Sequence, residues 1–510
     1  MLNVESSSIF IPHEAVLKPR TKLRVYHPAL RWVKKESPLY PPMLTRALYL
    51  LLIVFSTPLV LHGEGKSVRD FGAVGDGKAD DTEAIQRAAE GGSVSFPKGK
   101  YRLTKTVTID LDHTGFAALS SDGTATVIMT GAGPAFHFVG THAGSADPGQ
   151  VKPEVWDRQR MPAMTGLEIV GAENPEADGI EVTGVMELNI FGVNIHDLRH
   201  AIHLTKRNRN IIISDCHLYH NKGCGVLYDH VNLHQSNVIG CHISYNAGGG
   251  VVTRGGEIRN LQIGTCDIES NMDPKQAPAA NVLLDSTDGS TSEVAITGCT
   301  LQHNSNSPGS ANLWFIGRGV TATTNAEPTK EGHLVVSGNV FSDVMVNIHL
   351  QNAQGVSIVG NTFWEGFEQN LLIEDSQAVV IGANDFQRNI RYVVNKNWGR
   401  ESNSFLFRRC ADCKLEGLLI SSVWKAPAAV LLDQCSRCTV RDCSIFDCDG
   451  VGLWLKDCVR CEVTDCTIRD DREEKKATLS LKQEGGKENR VNRNWLVNGE
   501  EGIEKNQKPE

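Results

Sequence analysis

Seven polar residues make an acid–base set at four places in a 510-residue chain: Asp178, Glu181, Arg199, His200, His203, Asp229 and Arg254. A neutral imidazole can take a proton from carbon, and a guanidinium can hold the negative charge that builds up beside it. In that reading Arg199 or Arg254 neutralises and His200 or His203 is the base. Asp178, Glu181 and Asp229 offer a second chemistry, in which two carboxyl groups flank a bond as acid and base. His230, Glu257 and Arg259 follow closely and enlarge the titratable cluster. The competing reading is plain: outward positions on a solvated strand are polar by default.

The residues that position this set belong to a repeat. An apolar–any–apolar block followed by a small or polar pair occurs at Leu188–Ile195, Ile211–Leu218, Asn237–Ile243, Leu261–Ile268 and Val294–Leu301. Further copies run from Leu334, Val356, Val379, Leu415, Val440 and Val463, and Leu167–Ile169 starts the series. A second apolar block follows each first one, as in Gly179-Ile180-Glu181-Val182, Ala201-Ile202-His203-Leu204 and Gly225-Val226-Leu227-Tyr228. Period-two alternation means strands with one face inward. Two or three such strands in each repeat of about 23 residues make one coil of a β-solenoid, with neighbouring coils about 4.8 Å apart. About twelve coils are expected, with Ile190, Ile213, Ile239 and Ile263 stacked in one inward column. The leucine-rich consensus and its helical half are missing, and a propeller blade needs a longer repeat. The low aromatic share, 6%, and the 48 glycines suit many short strands separated by turns.

Equivalent positions repeat one residue type. Cys216, Cys241, Cys266 and Cys299 share a slot that Asn339, Asn361 and Asn384 take next and Cys443 and Cys466 take last. Asn221, Asn246, Asn271 and Asn304 form a second expected ladder. The pairs Cys410/Cys413, Cys435/Cys438 and Cys458/Cys461 have zinc-knuckle spacing, but each falls at one place in a repeat. A ladder of small apolar thiols accounts for them, with inter-coil disulfides and zinc as the alternatives.

Residues 1–42 lack sustained periodicity and read as an extension outside the fold. Arg46 and the apolar run Ala47–Leu61 give residues 43–64 the pattern of a signal peptide, which places the mature chain in a secreted or periplasmic compartment. The solenoid is expected over 66–470, opened by a short helix near Asp80–Ala89 that Asp80 or Asp81 caps. Residues 471–510 are charged and read as a cap or tail. The net charge of −9 argues against a nucleic-acid partner, and no membrane contact is expected after signal cleavage.

The segment Val68-Arg69-Asp70-Phe71-Gly72-Ala73-Val74-Gly75-Asp76-Gly77, with Gly99-Lys100-Tyr101 downstream, resembles the N-terminal module of the pectate-lyase-like superfamily that holds rhamnogalacturonases and polymer epimerases. The resemblance implies an all-β right-handed parallel β-helix and a polysaccharide substrate. It implies cleavage of an acidic or substituted polysaccharide by β-elimination or glycoside hydrolysis, and polymer epimerisation as a third activity. A non-catalytic glycan-binding or adhesin-like solenoid is the alternative. Elimination needs a cation on the uronate carboxylate and a base for the C5 proton; hydrolysis needs two carboxylates across the glycosidic bond. The chain departs from the family in lacking the aspartate cluster and Gly-His-Gly segment of polygalacturonase-like hydrolases and the epimerase Tyr-Gly-Phe-Asp-Pro-His motif. No cofactor is assigned; Ca2+ enters only with the lyase reading. Oligomeric state is not set.

Overall fold

The computed structural model describes residues 66–143, 147–172, 174–319, 331–389 and 401–503, together with the backbone of 322–324 and 327–329. The extension expected at 1–42 and the signal segment expected at 43–64 lie outside the described residues. Glu64–Glu510 forms one unit by its contacts.

Each coil carries three faces, illustrated by one turn of chain. Ile202–Thr205 lies on the first face, and the same strand runs on through a left-handed Lys206 and Asn210 to Ile211–Ser214 on the second. A left-handed Asp215 then turns the chain onto His217–Tyr219, the third face. All neighbouring strands of the three faces pair in parallel, the first two faces in a 27-stranded sheet and the third in a sheet of 16 strands. Sixteen rungs exceed the twelve expected. The strands Asp76–Asp80, Gly99–Leu103 and Ala125–Met129 precede the first copy recognised in the sequence, and Trp495–Leu496 follows the last. Past residue 470, Ala477–Glu484 and Arg490–Asn492 build one more coil where a charged cap or tail was expected. Its outward Lys and Glu side chains hide the inward Leu481 from a composition count.

Inward columns form the core. Ile180, Ile202, Val226, Val251, Val282, Leu313 and Ile348 are in register on successive rungs, all fully buried. Each contributes roughly 1.5–3 kcal/mol of apolar burial. On the second face the column runs Ile190, Ile213, Val238, Ile263, Ile296. Val238, not Ile239, occupies it, and Ile239 points outward at 39% exposure. Two adjacent β-branched residues leave the phase of a period-two pattern open, and the register with Ser214 and Gly264 decides it.

Both ladders exist. The Asn339 and Asn361 side chains each donate to the next Asn Oδ1 at 3.0 Å, ending on Asn384. The second ladder runs Asn221, Asn246, Asn271 and then Asn281, not Asn304. It continues through Asn312, Asn347 and Asn370. The insertion after Asn271 carries the chain away from the turn slot, and Asn281 at the start of the next strand supplies the amide; Asn304 closes a local turn onto Asn306. The fourteen cysteines are free and buried. Several of their thiols point at the carbonyl one coil back, as Cys438 does at Cys410 and Cys461 at Cys435. The opening helix spans Thr82–Ala89 with Ile85, Ala88 and Ala89 inward. Asp80 accepts from the Thr82 backbone, while Asp81 accepts from Val74 and Gly75 and so fixes the glycine turn instead.

Candidate functional site

The outward side chains of the first face form two parallel columns, where one row was expected. One runs His137, Glu181, His203, Leu227, Val252; the other runs Thr183, Thr205, Asp229, Arg254, Asp285. Strand register therefore brings Glu181, His203, Asp229 and Arg254 together across four rungs.

Asp229 is the hub. Its Oδ2 lies 3.3 Å from His203 Nε2 and its Oδ1 lies 2.7 Å from His230 Nδ1. Partial burial alone would raise its pKa, but the contacts from His230 and His203 more than offset this and hold the carboxyl below its usual range. With Asp229 accepting at Nδ1, the lone pair of His230 falls on Nε2, on a side chain 64% exposed. His230 sits in the left-handed region, and its ring lies against Gly255, where a Cβ would be 2.8 Å from the ring. The bare glycine is what lets the ring lie there. His203 is 15% exposed and its Nδ1 has no hydrogen-bond partner.

Asp178, Arg199 and His200 form a separate knot at the turn before these strands. Asp178 is 1% exposed and takes Arg199 Nε at 2.9 Å and Nη2 at 2.5 Å. It also accepts from the His200 backbone at 3.0 Å, and Arg199 reaches Glu176 at 2.7 Å. The hydrogen bonds that Arg199 donates to Asp178 raise its pKa further. His200 Nδ1 accepts from the Cys224 backbone at 3.0 Å, and its ring centroid is 5.5 Å from that of His203. Burial pushes the His200 pKa down to about 4, helped by His203, Arg199 and Arg254. This knot positions: its carboxylate is already matched and its imidazole is engaged with the backbone.

One further contributor was not singled out in the sequence, and His230 was placed only at the edge of the titratable cluster. His137 lies 3.5 Å from Glu181 and 3.0 Å from Thr183 Oγ1, which bonds Thr205 Oγ1 at 2.7 Å. Its signal, Phe136-His137-Phe138, is a clean alternation one coil before the repeat was picked up. His230 carried no alternation signal, because it follows the strand pattern at a left-handed position.

Residues 167–301 and 348–507 match the family described as right handed beta helix region. The chain belongs to the right-handed β-helix family. Residues 66–147 of the β-helix match the family described as rhamnogalacturonase A/epimerase, pectate lyase-like, which places it in the pectate-lyase-like superfamily. A 44-residue stretch is 54% identical to alginate lyase 7 of Azotobacter vinelandii, covering 8% of this chain and 5% of that protein. Among solved structures, pre-mature gene product 12 of bacteriophage phi29 aligns with a TM-score of 0.53 at 13% identity, over 90% of this chain and 58% of that one. The A-module of mannuronan C-5 epimerase AlgE6 from Azotobacter vinelandii aligns at 0.38 and 13% identity, over 84% and 98%.

Among the described residues of the β-helix, no three His, Cys, Asp or Glu side chains converge as metal ligands. The donor set at Asp229 is one carboxylate between two imidazoles, which does not fit the oxygen cage calcium needs, and no step is routed through an ion. Toward the C-terminus the first outward column turns apolar at Leu227, Val252 and Leu283, and then presents Trp314 stacked on His349 with centroids 5.3 Å apart. Trp454 also faces outward in this column, under Lys482 Nζ at 4.3 Å.

Proposed function

We propose that this β-helix is a polysaccharide-active enzyme that cleaves an acidic polymer by β-elimination on its first face. The Asp229–His230 pair carries the reading: a carboxylate orients an exposed imidazole whose outer nitrogen can take a proton. Arg254, one rung on, neutralises the uronate carboxylate and so stabilises the carbanion left when the C5 proton moves to His230 Nε2. The electron pair then expels the C4 oxygen, and the imidazolium returns its proton to that oxygen on the same side of the ring. His203 backs Asp229 from the neighbouring column, and the Asp178–Arg199 knot fixes the turn. The match to a pectate-lyase-like module and the short identity with an alginate lyase support a uronate polymer as substrate. Hydrolysis is less well served. Asp178 is buried against Arg199, and Glu181 and Asp229 stand two rungs apart, so their backbones are separated by roughly 10 Å or more.

The test is a panel of polyuronates and sulfated glycans, followed by absorbance of the unsaturated uronate and by reducing ends. Rising absorbance that His230→Ala abolishes supports the reading; reducing ends without absorbance would assign hydrolysis instead. Deuterium entering C5 without chain shortening would redirect the same carbanion to epimerisation. The second reading, a glycan binder without turnover, is favoured by the half-buried Trp314 on the first face, an aromatic group that suits a sugar ring better than chemistry. Binding with no product from any polymer would select it. Export to a secreted or periplasmic compartment goes with either reading.

A further inference from the structure

On the second face, around the corner from Asp229, a shallow groove of about 210 Å³ is lined by Asn210, Ile212, Gln235, Asn237, Asn260 and Gln262. Five of the six are amides, and they recur on three consecutive rungs: Asn210, Gln235 and Asn260 are in the left-handed region, with Ile212, Asn237 and Gln262 in register beside them. A left-handed backbone is easy for Asn but costly for Gln, where glycine would be free of strain. The column immediately preceding each left-handed residue runs Arg209, His234, Arg259 in register. Arg207 lies beside it, bonded to Asn232 and to His142 at 3.3 Å. Glu257 meets Arg259 Nη2 at 3.3 Å and offsets one of these charges, and Arg259 Nη1 donates to the Ile258 and Ser290 carbonyls, which leaves Nε and part of Nη2 for a ligand. Burial first, and then Arg207 and Arg209, push the nearby His142 down to about 4. His234 is lowered in the same way, with Glu293 opposing. Asn210 Oδ1 and His234 Nδ1 are shielded from solvent and have no hydrogen-bond partner.

We propose that this groove is a second saccharide site, which takes an anionic sugar unit. The amides hydrogen-bond ring hydroxyls, and the part-exposed Arg259 beside the groove meets the carboxylate or sulfate, with the buried Arg209 adding positive charge behind it. Amide side chains present donor and acceptor together, the pairing a vicinal hydroxyl pair needs, and guanidinium matches a planar or tetrahedral anion. The site is independent of the reaction assigned to the first face, because it uses different side chains on a different face.

The experiment titrates the full chain calorimetrically with an oligogalacturonate, a sulfated dextran oligosaccharide, neutral maltohexaose, sodium sulfate and a single-stranded DNA oligonucleotide. Hydrogen exchange then locates the protection. An acidic oligosaccharide should bind, more weakly as salt rises, and protect the strands around Ile212, Asn237 and Gln262. The double variant Asn237→Ala/Gln262→Ala should lose tenfold or more in affinity, and so should Arg259→Gln; the amide pair is exposed enough to serve if the arginine variant unfolds. Comparison of the uronate and sulfate arms identifies the anion. The proposal falls if both variants keep the affinity of the unmodified chain, or if protection is confined to Val226–His230. It also falls if maltohexaose, sulfate alone or the oligonucleotide binds as tightly as the acidic sugars. Absence of turnover on every polymer would remove the first-face reaction and leave this site standing.

Discussion

The two halves of the β-helix use the same slots for opposite ends. All seventeen histidines lie at or before His349, whereas nine of the fourteen cysteines lie at or after Cys410. In the second outward column of the first face, the N-terminal half places Asp229 between His203 and His230, with Arg254 next. In the C-terminal half the same column places Arg408 between Glu374 at 3.2 Å and Asp433 at 3.5 Å. There Arg408 is closed by a carboxylate on either side, so this stretch of the column is a charge ladder that holds register. Around Asp229 the partners are titratable rings with nitrogen left over. A column position does not make a site; unclosed proton chemistry in it does.

The largest effect expected from this comparison is catalytic. Asp229→Asn should lower turnover of the identified polymer by about 10²–10⁴-fold, since the His230 tautomer is no longer fixed. Asp433→Asn, the equivalent position in the charge ladder, should leave turnover within about twofold. Initial rates of uronate absorbance at saturating polymer decide it, and equal losses in both variants would break the contrast.

The interiors differ in the same way. The Asn ladder joins side chains by directed hydrogen bonds, while the cysteine columns pack as small apolar groups. Asn246→Ala takes their side-chain partner from the Asn221 backbone N–H and the Leu218 carbonyl in the core, and should cost about 1–3 kcal/mol for each group left unmatched. Cys438→Ala removes one buried sulfur, with a cost of about 1 kcal/mol. Urea midpoints at constant slope measure both. A cysteine cost equal to the asparagine cost would mean that the thiol-to-carbonyl contacts act as true hydrogen bonds.

Much of this was legible in the sequence, for a reason peculiar to solenoids: the same local choice is made on every coil, so a weak pattern is read many times over. The fold, the cysteine slot and the grouping of His203, Asp229 and Arg254 follow from that repetition. What escaped lies where repetition lapses. Ile239 and Val238 are adjacent and both β-branched, so only pairing sets the phase. Asn281 enters the ladder because an insertion moves the turn. His230 was read only as a neighbour of the cluster, because it occupies a left-handed residue outside the alternation, and Asp178 looks like any acidic residue until burial against Arg199 shows that its charge is matched. The N-terminal coils carry no recognisable copy of the block, and His137 was lost with them.

Acid should separate the halves next. His200 has a folded pKa of about 4 against an ordinary value near 6.5, so folding favours its neutral form. That contribution is fully present above pH 6.5 and is lost as pH falls through the folded value near 4. Between those limits the coils around His200 and Cys224 should lose hydrogen-exchange protection before the coils around Cys438 and Cys461, which hold no histidine. His200→Asn keeps an acceptor for the Cys224 backbone and should flatten the dependence of melting temperature on pH. An unchanged slope would show that another group, His142 foremost, governs it.

The smallest effect belongs to the exposed ion pairs at the turns beside that ladder. Arg437 meets Asp412 through two hydrogen bonds of 2.5–2.6 Å, but its side chain is 55% exposed and that of Asp412 is 34% exposed. Solvent screens such a pair, and holding a long side chain in one geometry costs entropy, so Arg437→Gln should cost less than about 1 kcal/mol by urea denaturation. The pair recurs at Arg409–Asp375 one coil earlier, so removing one member leaves the neighbouring rung held. The double variant Arg409→Gln/Arg437→Gln should therefore be close to additive. A combined loss well above the sum would mean that the rungs act as one network, and the C-terminal half would then be a cooperative electrostatic structure, no longer the passive counterpart of the histidine-bearing half.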